Sequence, residues 1–266
     1  MTAMLAFAVE DLAAILRALD AAGWDAILVG GQAVNVWACH YDRDTEEWRS
    51  LRPYNSRDLD YHGGLAEARR AMTVLKARGR LNTSMEPSPN AGVLSVQLPD
   101  GRELLIDILT GLFGLSSAEV ERTAVRLSGP GLLSGLTLRV IHPLLLLEGK
   151  AASLRGLSQG DRQDAKHLRI LSLVLREWLQ EQLARPRDVF RAIERLAACA
   201  CGPDGLNAFV HGIDLWQAVA WDVLRNRPEF AEFFQHRWPQ LNDKLATKRD
   251  RHFQSLHPNH DSDDVT

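Results

Sequence analysis

The order of apolar and polar residues predicts a strand–turn–helix–strand unit near the N-terminus. Apolar residues recur at helical spacing in residues 9–22, which predicts an amphipathic helix. The short apolar run at 26–29 predicts a buried strand, and Gly30 and Gly31 form the turn into a second helix. The next strand is predicted at 58–61.

The apolar pattern then alternates between helical and strand periodicity before it becomes helical throughout. An amphipathic helix is predicted at 65–78, a hairpin of two strands at 93–98 and 103–109, and a last strand at 136–141. Four helices are predicted to follow, at 143–156, 161–183, 187–200 and 205–225. We therefore expect an α/β (α+β) protein in which helices flank a small mixed sheet and a helical C-terminal part follows.

This pattern also predicts the domain organisation. Residues 1–142 carry all the predicted strands, and residues 143–242 form a helical domain. The charged segment 243–266 is predicted to be a disordered tail. Residues 40–56 are polar and include a proline, so we expect a long loop, of a length that is often functional.

Composition narrows the classes of protein that fit. The 266 residues are 45% hydrophobic, enough for a packed core, and the net charge of −3 shows no overall basicity. A nucleic-acid surface would be a local patch: residues 150–195 hold ten bases and six acids, whereas residues 1–60 hold five bases and ten acids. Three cysteines make no disulfide framework, and neither a signal peptide nor a membrane-spanning run is predicted. We expect a cytoplasmic protein without a membrane partner.

Three aspartates are candidates for a metal site. Asp58 and Asp60 are two residues apart in a predicted strand, so their side chains share one face. Asp is disfavoured in strands, and two like charges this close repel each other unless a cation lies between them. Asp107 is the acid of an otherwise apolar strand, where it needs a partner. Three such carboxylates on neighbouring strands predict a two-metal phosphoryl-transfer site.

A phosphate site is predicted beside these acids. Gly30 and Gly31 follow a strand and open a helix, where backbone N–H groups hold phosphates, although a tight turn alone also explains the pair. Ser56 is a second phosphate-binding candidate, with a simple turn residue as its alternative.

These motifs resemble the polymerase-β-like nucleotidyltransferase superfamily, in which Gly-Gly and Ser-x-Asp-x-Asp precede a later strand Asp. Residues 141–155, Ile-His-Pro-Leu-Leu-Leu-Leu-Glu-Gly-Lys-Ala-Ala-Ser-Leu-Arg, and 162–168, Arg-Gln-Asp-Ala-Lys-His-Leu, are similar to its AbiEii-type (MenT-like) toxin branch. That branch has a Pro-led helix with a Lys, then Lys-Asp-x-x-Asp-Leu. The resemblance covers roughly residues 25–175 and departs at Gln163, where Lys is usual, and at His167, where Asp is usual.

The resemblance implies a bacterial toxin that transfers a nucleoside monophosphate from an NTP to an acceptor hydroxyl. It implies that residues 1–142 form the nucleotidyltransferase catalytic domain and that residues 143–242 close over the nucleotide. The three acids would hold Mg²⁺ or Mn²⁺, Lys150 would contact the phosphates, and Asp164 would orient Lys150 or a nucleotide group. The implied partners are the NTP, an RNA acceptor, with the tRNA 3′ end favoured, and a cognate antitoxin protein.

Several alternatives remain open at this point. Lys150 is also explained by an amphipathic stem that reaches solvent, and Asp164 by an acid favoured at a helix N-terminus. The acceptor is alternatively a small molecule such as an aminoglycoside, or a protein hydroxyl. From another class, a non-catalytic nucleotide-binding protein would retain the fold, although such a scaffold has no need of three convergent acids.

Overall fold

The computed structural model describes residues 6–82, 88–129 and 131–256, and the strands within them are short. The strands are β1 (Phe7–Ala8), β2 (Ile27–Val29), β3 (Asn55–Ser56), β4 (Asp58–His62), β5 (Arg78–Leu81), β6 (Asn90–Gln97), β7 (Glu103–Leu109), β8 (Val125–Ser128) and β9 (Thr137–Val140). Seven of these described strands form one mixed sheet in the order β5-β6-β7-β4-β2-β9-β8. The pairs β4/β7 and β2/β9 are parallel, and the other neighbours in this sheet are antiparallel.

The helices of the described residues lie mostly after the sheet. They are α1 (Ala13–Ala21), α2 (Gly30–Tyr41), α3 (Glu46–Leu51), α4 (Leu65–Leu75), α5 (Ser117–Thr123), α6 (Pro143–Gly156), α7 (Asp164–Glu181), α8 (Pro186–Cys201), α9 (Pro203–Val210), α10 (Trp221–Arg225) and α11 (Trp238–Leu256). None of the helices in the described part of the chain is both long and apolar enough to cross a bilayer.

The structure confirms the coarse fold prediction of a mixed sheet with flanking helices. The hairpin β6/β7 and the buried strand β2 lie where the apolar runs predict them. Helix α6 begins at Pro143, whose missing N–H is not needed in the first turn, and it has the predicted bounds. Sequence reasoning missed the edge strands β5 and β8, because both are short and mostly exposed.

The segment 40–56 differs from the predicted long loop. It contains helix α3 and the two-residue strand β3, which pairs with β1. Trp48 accounts for the ordered structure of this segment, because its ring is buried against Tyr54, with ring centroids 6.4 Å apart. One large apolar side chain in a polar segment therefore orders the whole connection.

The predicted disordered tail is wrong for residues 243–256, which continue helix α11. Leu241 and Leu245, one turn apart, are buried, and they fix the helix against the helical part. Further along, the Arg249 guanidinium lies 3.8 Å from the ring centroid of Phe209. The rest of the predicted tail, 257–266, lies outside the described residues.

The two faces of the sheet differ in chemistry, and this difference positions the site. Leu59, Leu104 and Ile106 are fully buried on one face. The intervening residues of β4 and β7 point the other way and include the three aspartates. Helix α2 packs against β4, and the helical part docks on the sheet through contacts of α7 and α6 with α2. The proposed boundary at residue 142 remains a prediction.

Candidate active site

Two adjacent parallel strands bring the three predicted aspartates together. Asp60 on β4 lies directly opposite Asp107 on β7, and Asp58 is two residues before Asp60 on the same face. One oxygen of each carboxylate lies within 4.8 Å of the others. We call these three residues the acid triad. Their convergence follows from the spacing in β4 and from the parallel register of β7.

The fold disfavours the charged forms of two carboxylates in the acid triad. Burial, and then the charges of Asp58 and Asp107, raise the pKa of Asp60 to about 7. Burial, and then Asp58, also raise the pKa of Asp107. The neighbouring hydrogen bonds are neutral: Ser56 Oγ donates to Asp58 over 3.2 Å, and Asn90 Nδ2 donates to Asp107 over 3.4 Å. Within the described ranges, no ion pair is formed by any acid of the triad.

These residues fit a divalent cation. A hard ion such as Mg²⁺ or Mn²⁺ takes carboxylate oxygens and leaves positions for water and for phosphate oxygens. The acid triad offers three partly buried carboxylates whose ligand oxygens lie within 4.8 Å of one another, and no described residue forms an ion pair with them. Burial and two like charges raise the pKa of Asp60 although Lys150 and Arg162 act in the opposite direction, and a bound cation would also favour the charged carboxylate.

Both glycines of the predicted turn are required by close approach to the site. A Cβ on Gly30 would overlap the Asp60 carboxylate, with Cγ only 2.7 Å away, and Gly30 has a φ of +65°. A Cβ on Gly31 would lie 2.9 Å from the Ser56 Cβ. The N-terminus of α2 therefore lies directly on the acid triad, as the phosphate-cradle prediction requires.

Ser56 is held in place by a buried network rather than left free. Its hydroxyl donates to Asp58, and its backbone carbonyl accepts a 3.4 Å hydrogen bond from Gln32 Nε2. The same Gln32 amide donates to the Phe7 carbonyl over 2.9 Å, which ties β1 to this corner of the site. The structure thus places Ser56 as a support of Asp58, and a phosphate contact through its oxygen stays a prediction.

Lys150 and Asp164 meet on the opposite wall. Lys150 Nζ lies 3.0 Å from Asp164 Oδ1, and Arg162 Nε lies 2.6 Å from Asp164 Oδ2. Burial alone would raise the pKa of Asp164, but Lys150 and Arg162 outweigh it, so this pKa is lowered. Lys150 is buried, with its ammonium directed to Asp164, so the interpretation of a side chain that reaches solvent is wrong.

One cleft joins the two walls. It encloses ≈ 450 Å³ and is open to solvent. Its lining consists of Gly31, Ser56, Arg57, Asp58, Asp60, Lys150, Asp161, Arg162, Gln163, Asp164 and His167. Asp107 is not part of this lining, because it lies one strand further out on β7.

Sequence reasoning did not select Arg57, Asp161, Arg162 or His167 as site residues. Arg57 Nη1 lies 3.8 Å from Asp161 Oδ2, which brings the strand side and the helix side of the cleft together. Arg162 is two residues before Asp164, and His167 is one helical turn after Asp164 on α7. The shared helix face of Asp164 and His167 was the sequence signal that could have identified His167.

No protein-family model, curated protein or solved structure matches this chain. Membership of the nucleotidyltransferase superfamily therefore remains a prediction from the motifs. The structure itself shows that the acid triad, the glycine turn and the Lys150–Asp164 pair lie in one region, at or beside the cleft.

Proposed function

We propose that this protein is a metal-dependent nucleotidyltransferase that moves a nucleoside monophosphate from an NTP to an acceptor hydroxyl. The observation that carries the proposal is that an acid cluster without an ion pair among the described residues faces a wall with two cationic side chains. Asp58 and Asp60 line one side of the cleft, and Lys150 and Arg162, paired with Asp164, line the other. A magnesium triphosphate presents a cation to carboxylates and phosphate oxygens to cationic side chains.

In the reaction, the acceptor oxygen forms a bond to the α-phosphorus and pyrophosphate leaves with the electrons of the broken P–O bond. The acid triad holds the divalent ion, which when bound neutralises the phosphate charge. Asp107 completes the ion site or takes the acceptor proton, and its raised pKa makes it a stronger base than an ordinary carboxylate. Because Asp107 lies on β7, outside the cleft, the proposed acceptor would approach from that side of the triad.

The opposite wall binds and orients the triphosphate. Asp164 and Arg162 fix Lys150 so that its ammonium is positioned before the substrate arrives. The N–H groups at the start of α2 add donors beside Asp60. Catalysis in this scheme is mostly positioning and charge neutralisation, as is general for phosphoryl transfer.

RNA is the acceptor that we propose, on the resemblance and on a second cleft rich in arginine. That cleft encloses ≈ 910 Å³. Its arginines are Arg122, Arg185, Arg191 and Arg195, and Trp178 lines it as well. Trp178 is fourteen residues after Asp164 on α7, so the two clefts are about 20 Å apart along this helix at a rise of about 1.5 Å per residue. An RNA strand spans that distance, whereas a small aminoglycoside does not.

Fewer basic side chains of residues 150–195 are available to bind phosphates than their number suggests. Several of these bases make ion pairs, namely Arg155 with Asp204, Arg162 with Asp164, Arg176 with Glu47, Arg191 with Asp188 and Arg195 with Glu119 and Glu148. Arg185 and Arg187 make no ion pair among the described residues, which leaves their charges available for a phosphate backbone.

The test is incubation with Mg²⁺, each α-labelled NTP and total cellular RNA, alongside an aminoglycoside mixture. Wild-type protein should label RNA, less so as salt rises, because bound phosphates release counterions. Asp58→Asn should abolish labelling. The double variant Arg185→Glu with Arg187→Glu should label RNA less but bind NTP normally. Labelling of the aminoglycosides alone would move the acceptor to a small molecule, and no labelling at all would refute the enzyme proposal.

The toxin role is proposed from the resemblance alone and has its own test. Induced expression in bacteria should arrest growth with the wild-type chain and not with Asp58→Asn. A cognate antitoxin would then be sought as a protein whose co-expression restores growth. Growth at the normal rate with active wild-type enzyme would contradict the toxin role without touching the transferase proposal.

A further inference from the structure

His167 is a buried polar group for which the cleft provides no partner. Its side chain is 5% exposed and it lines the cleft beside Lys150 and Asp164. In the part of the chain that the structure describes, neither Nδ1 nor Nε2 has a hydrogen-bond partner. A buried polar group without a hydrogen-bond partner is destabilising, so its presence needs a reason.

The ring of His167 is neutral at physiological pH. Burial, and then the charge of Lys150, lower its pKa well below the ordinary histidine value, although Asp164 acts in the opposite direction. A neutral imidazole carries one N–H donor and one acceptor nitrogen. His167 thus offers one hydrogen bond to a ligand without adding a further positive charge to the cleft.

The surroundings of the ring select the chemistry of that ligand. Lys150, Lys166 and Arg162 act on His167 as positive charges and Asp164 acts as a negative one, so the cations that act on the ring outnumber the acid. The ring also touches the start of α2: its Cε1 lies 3.3 Å from where a Cβ of Gly31 would be. An anionic oxygen that accepts a hydrogen bond fits this position, and a cationic ligand group does not.

We propose that His167 is a ligand-contact residue that donates a ring N–H to a non-bridging oxygen of the β- or γ-phosphate of the bound NTP. The inference rests on the proposed function, because it places the reacting α-phosphate at the acid triad. The terminal phosphates then lie toward the wall that carries His167 and Lys150. His167 would distinguish a triphosphate from a monophosphate.

Binding titrations with three probes test this role: inorganic tripolyphosphate, ATP and AMP, each with Mg²⁺. His167→Phe keeps a ring of similar shape but removes both nitrogens. It should weaken tripolyphosphate and ATP by about ten-fold or more, the usual effect of losing a hydrogen bond to a charged group, and change AMP by less than about two-fold. His167→Asn and His167→Gln place an amide near Nδ1 and Nε2 respectively, so one of them should restore most of the affinity.

A matched control is His211→Phe, the same exchange at an exposed histidine that follows α9. It should leave all three affinities unchanged. If His167→Phe does not fold, the Asn and Gln variants and the histidine ring ¹⁵N resonances of the wild-type protein take its place. One neutral ring should change its shifts on addition of tripolyphosphate.

The outcomes separate this inference from the proposed function. Equal affinity of wild type and His167→Phe for Mg²⁺-tripolyphosphate, or an equal loss for AMP, would overturn the role of His167 and leave the transferase proposal standing. A variant that loses thermal stability but no affinity would show a structural histidine satisfied by water. A wild-type protein that binds neither ATP nor tripolyphosphate with Mg²⁺ would contradict both.

Discussion

Two clusters of carboxylates in this protein differ in where their positive charge comes from. At the first, Arg195 lies between Glu119 and Glu148, with Nε 2.6 Å from Glu148 Oε1 and Nη2 3.2 Å from Glu119 Oε2. At the second, the acid triad forms no ion pair with any described residue. The first cluster has arginine partners within the fold, whereas the second has no ion-pair partner among the described residues, and we propose that a divalent cation supplies its positive charge.

The pKa directions express the same contrast. A hydrogen bond from Arg195 lowers the pKa of Glu119, so folding favours the charged form. Burial raises the pKa of Asp60 to about 7, so folding disfavours the charged form. Carboxylates with raised pKa values are enriched at functional sites, which fits the proposed cation site, whereas the Glu119 cluster has the pattern of a structural ion-pair network.

The largest expected effect comes from Asp60→Asn. It removes a metal ligand, worth several kcal/mol, so NTP turnover should fall by about three orders of magnitude or more. The melting temperature without divalent ions should rise, because a like-charge repulsion is relieved. Turnover and thermal melts are measured on the same preparation. Near-normal turnover, or a lower melting temperature, would contradict the triad as a cation site.

The next effect in size comes from Lys150→Met, which keeps the apolar stem and removes the ammonium. Turnover should fall by about 10²–10³-fold, as expected when a preorganised charge at the phosphates is lost. Lys244→Met, at an exposed lysine on α11, is the control and should have no effect. If Lys150→Met changes only stability, Lys150 is a structural partner of Asp164.

A moderate effect is expected at the compensated cluster. Arg195→Met leaves Glu148 without its arginine partner and Glu119 with only Arg122, and because Arg195 is partly exposed we expect a loss of about 1–2 kcal/mol in unfolding free energy. Arg237→Met, which breaks the surface pair with Glu194, should cost less than about 0.5 kcal/mol. Urea melts compare the two, and a turnover loss in Arg195→Met exceeding its stability loss would show coupling to the site.

The smallest effect is a pH dependence. Asp60 has a folded pKa of about 7 against an ordinary 3.8, so the folded state binds its proton more tightly. That contribution is complete below about pH 4 and is lost as pH rises through 7. The metal-free protein should therefore melt a few degrees lower at pH 8 than at pH 6, relative to Asp60→Asn. Mg²⁺ should raise the melting temperature more at pH 8, where the proton no longer competes.

The acid triad could be predicted because strand geometry is local. Two residues separate Asp58 from Asp60, and this alone puts both on one face. Asp107 could be predicted only in part, since residues 104–109 are apolar except for it, but its place beside Asp60 depends on the parallel pairing of β7 with β4. The contact of Lys150 with Asp164 joins two helices, and only the resemblance to a known pattern indicated it. The face that two side chains share within one strand could therefore be predicted from the sequence, whereas a contact between two helices could not.

The misses have physical causes of the same kind. Helix α3 depends on the burial of Trp48, which a polar composition conceals. The last turns of α11 depend on Leu245 and on the contact of Arg249 with Phe209, both of which join segments distant in sequence. The lack of a hydrogen-bond partner for the His167 ring among the described residues is set by the residues that pack around it. Features set by long-range packing leave little mark on local composition.

The approach of Gly30 to Asp60 also constrains which substitutions this chain can accept. Any side chain at position 30 would place a carbon 2.7 Å from the Asp60 Cγ, on a backbone with φ of +65° that already disfavours a Cβ. The same carbon would lie 2.8 Å from the Asp60 Cβ, so removal of the carboxylate alone does not open position 30. The glycine therefore stays fixed by its own backbone and by the neighbouring strand even in a variant that has lost the acid.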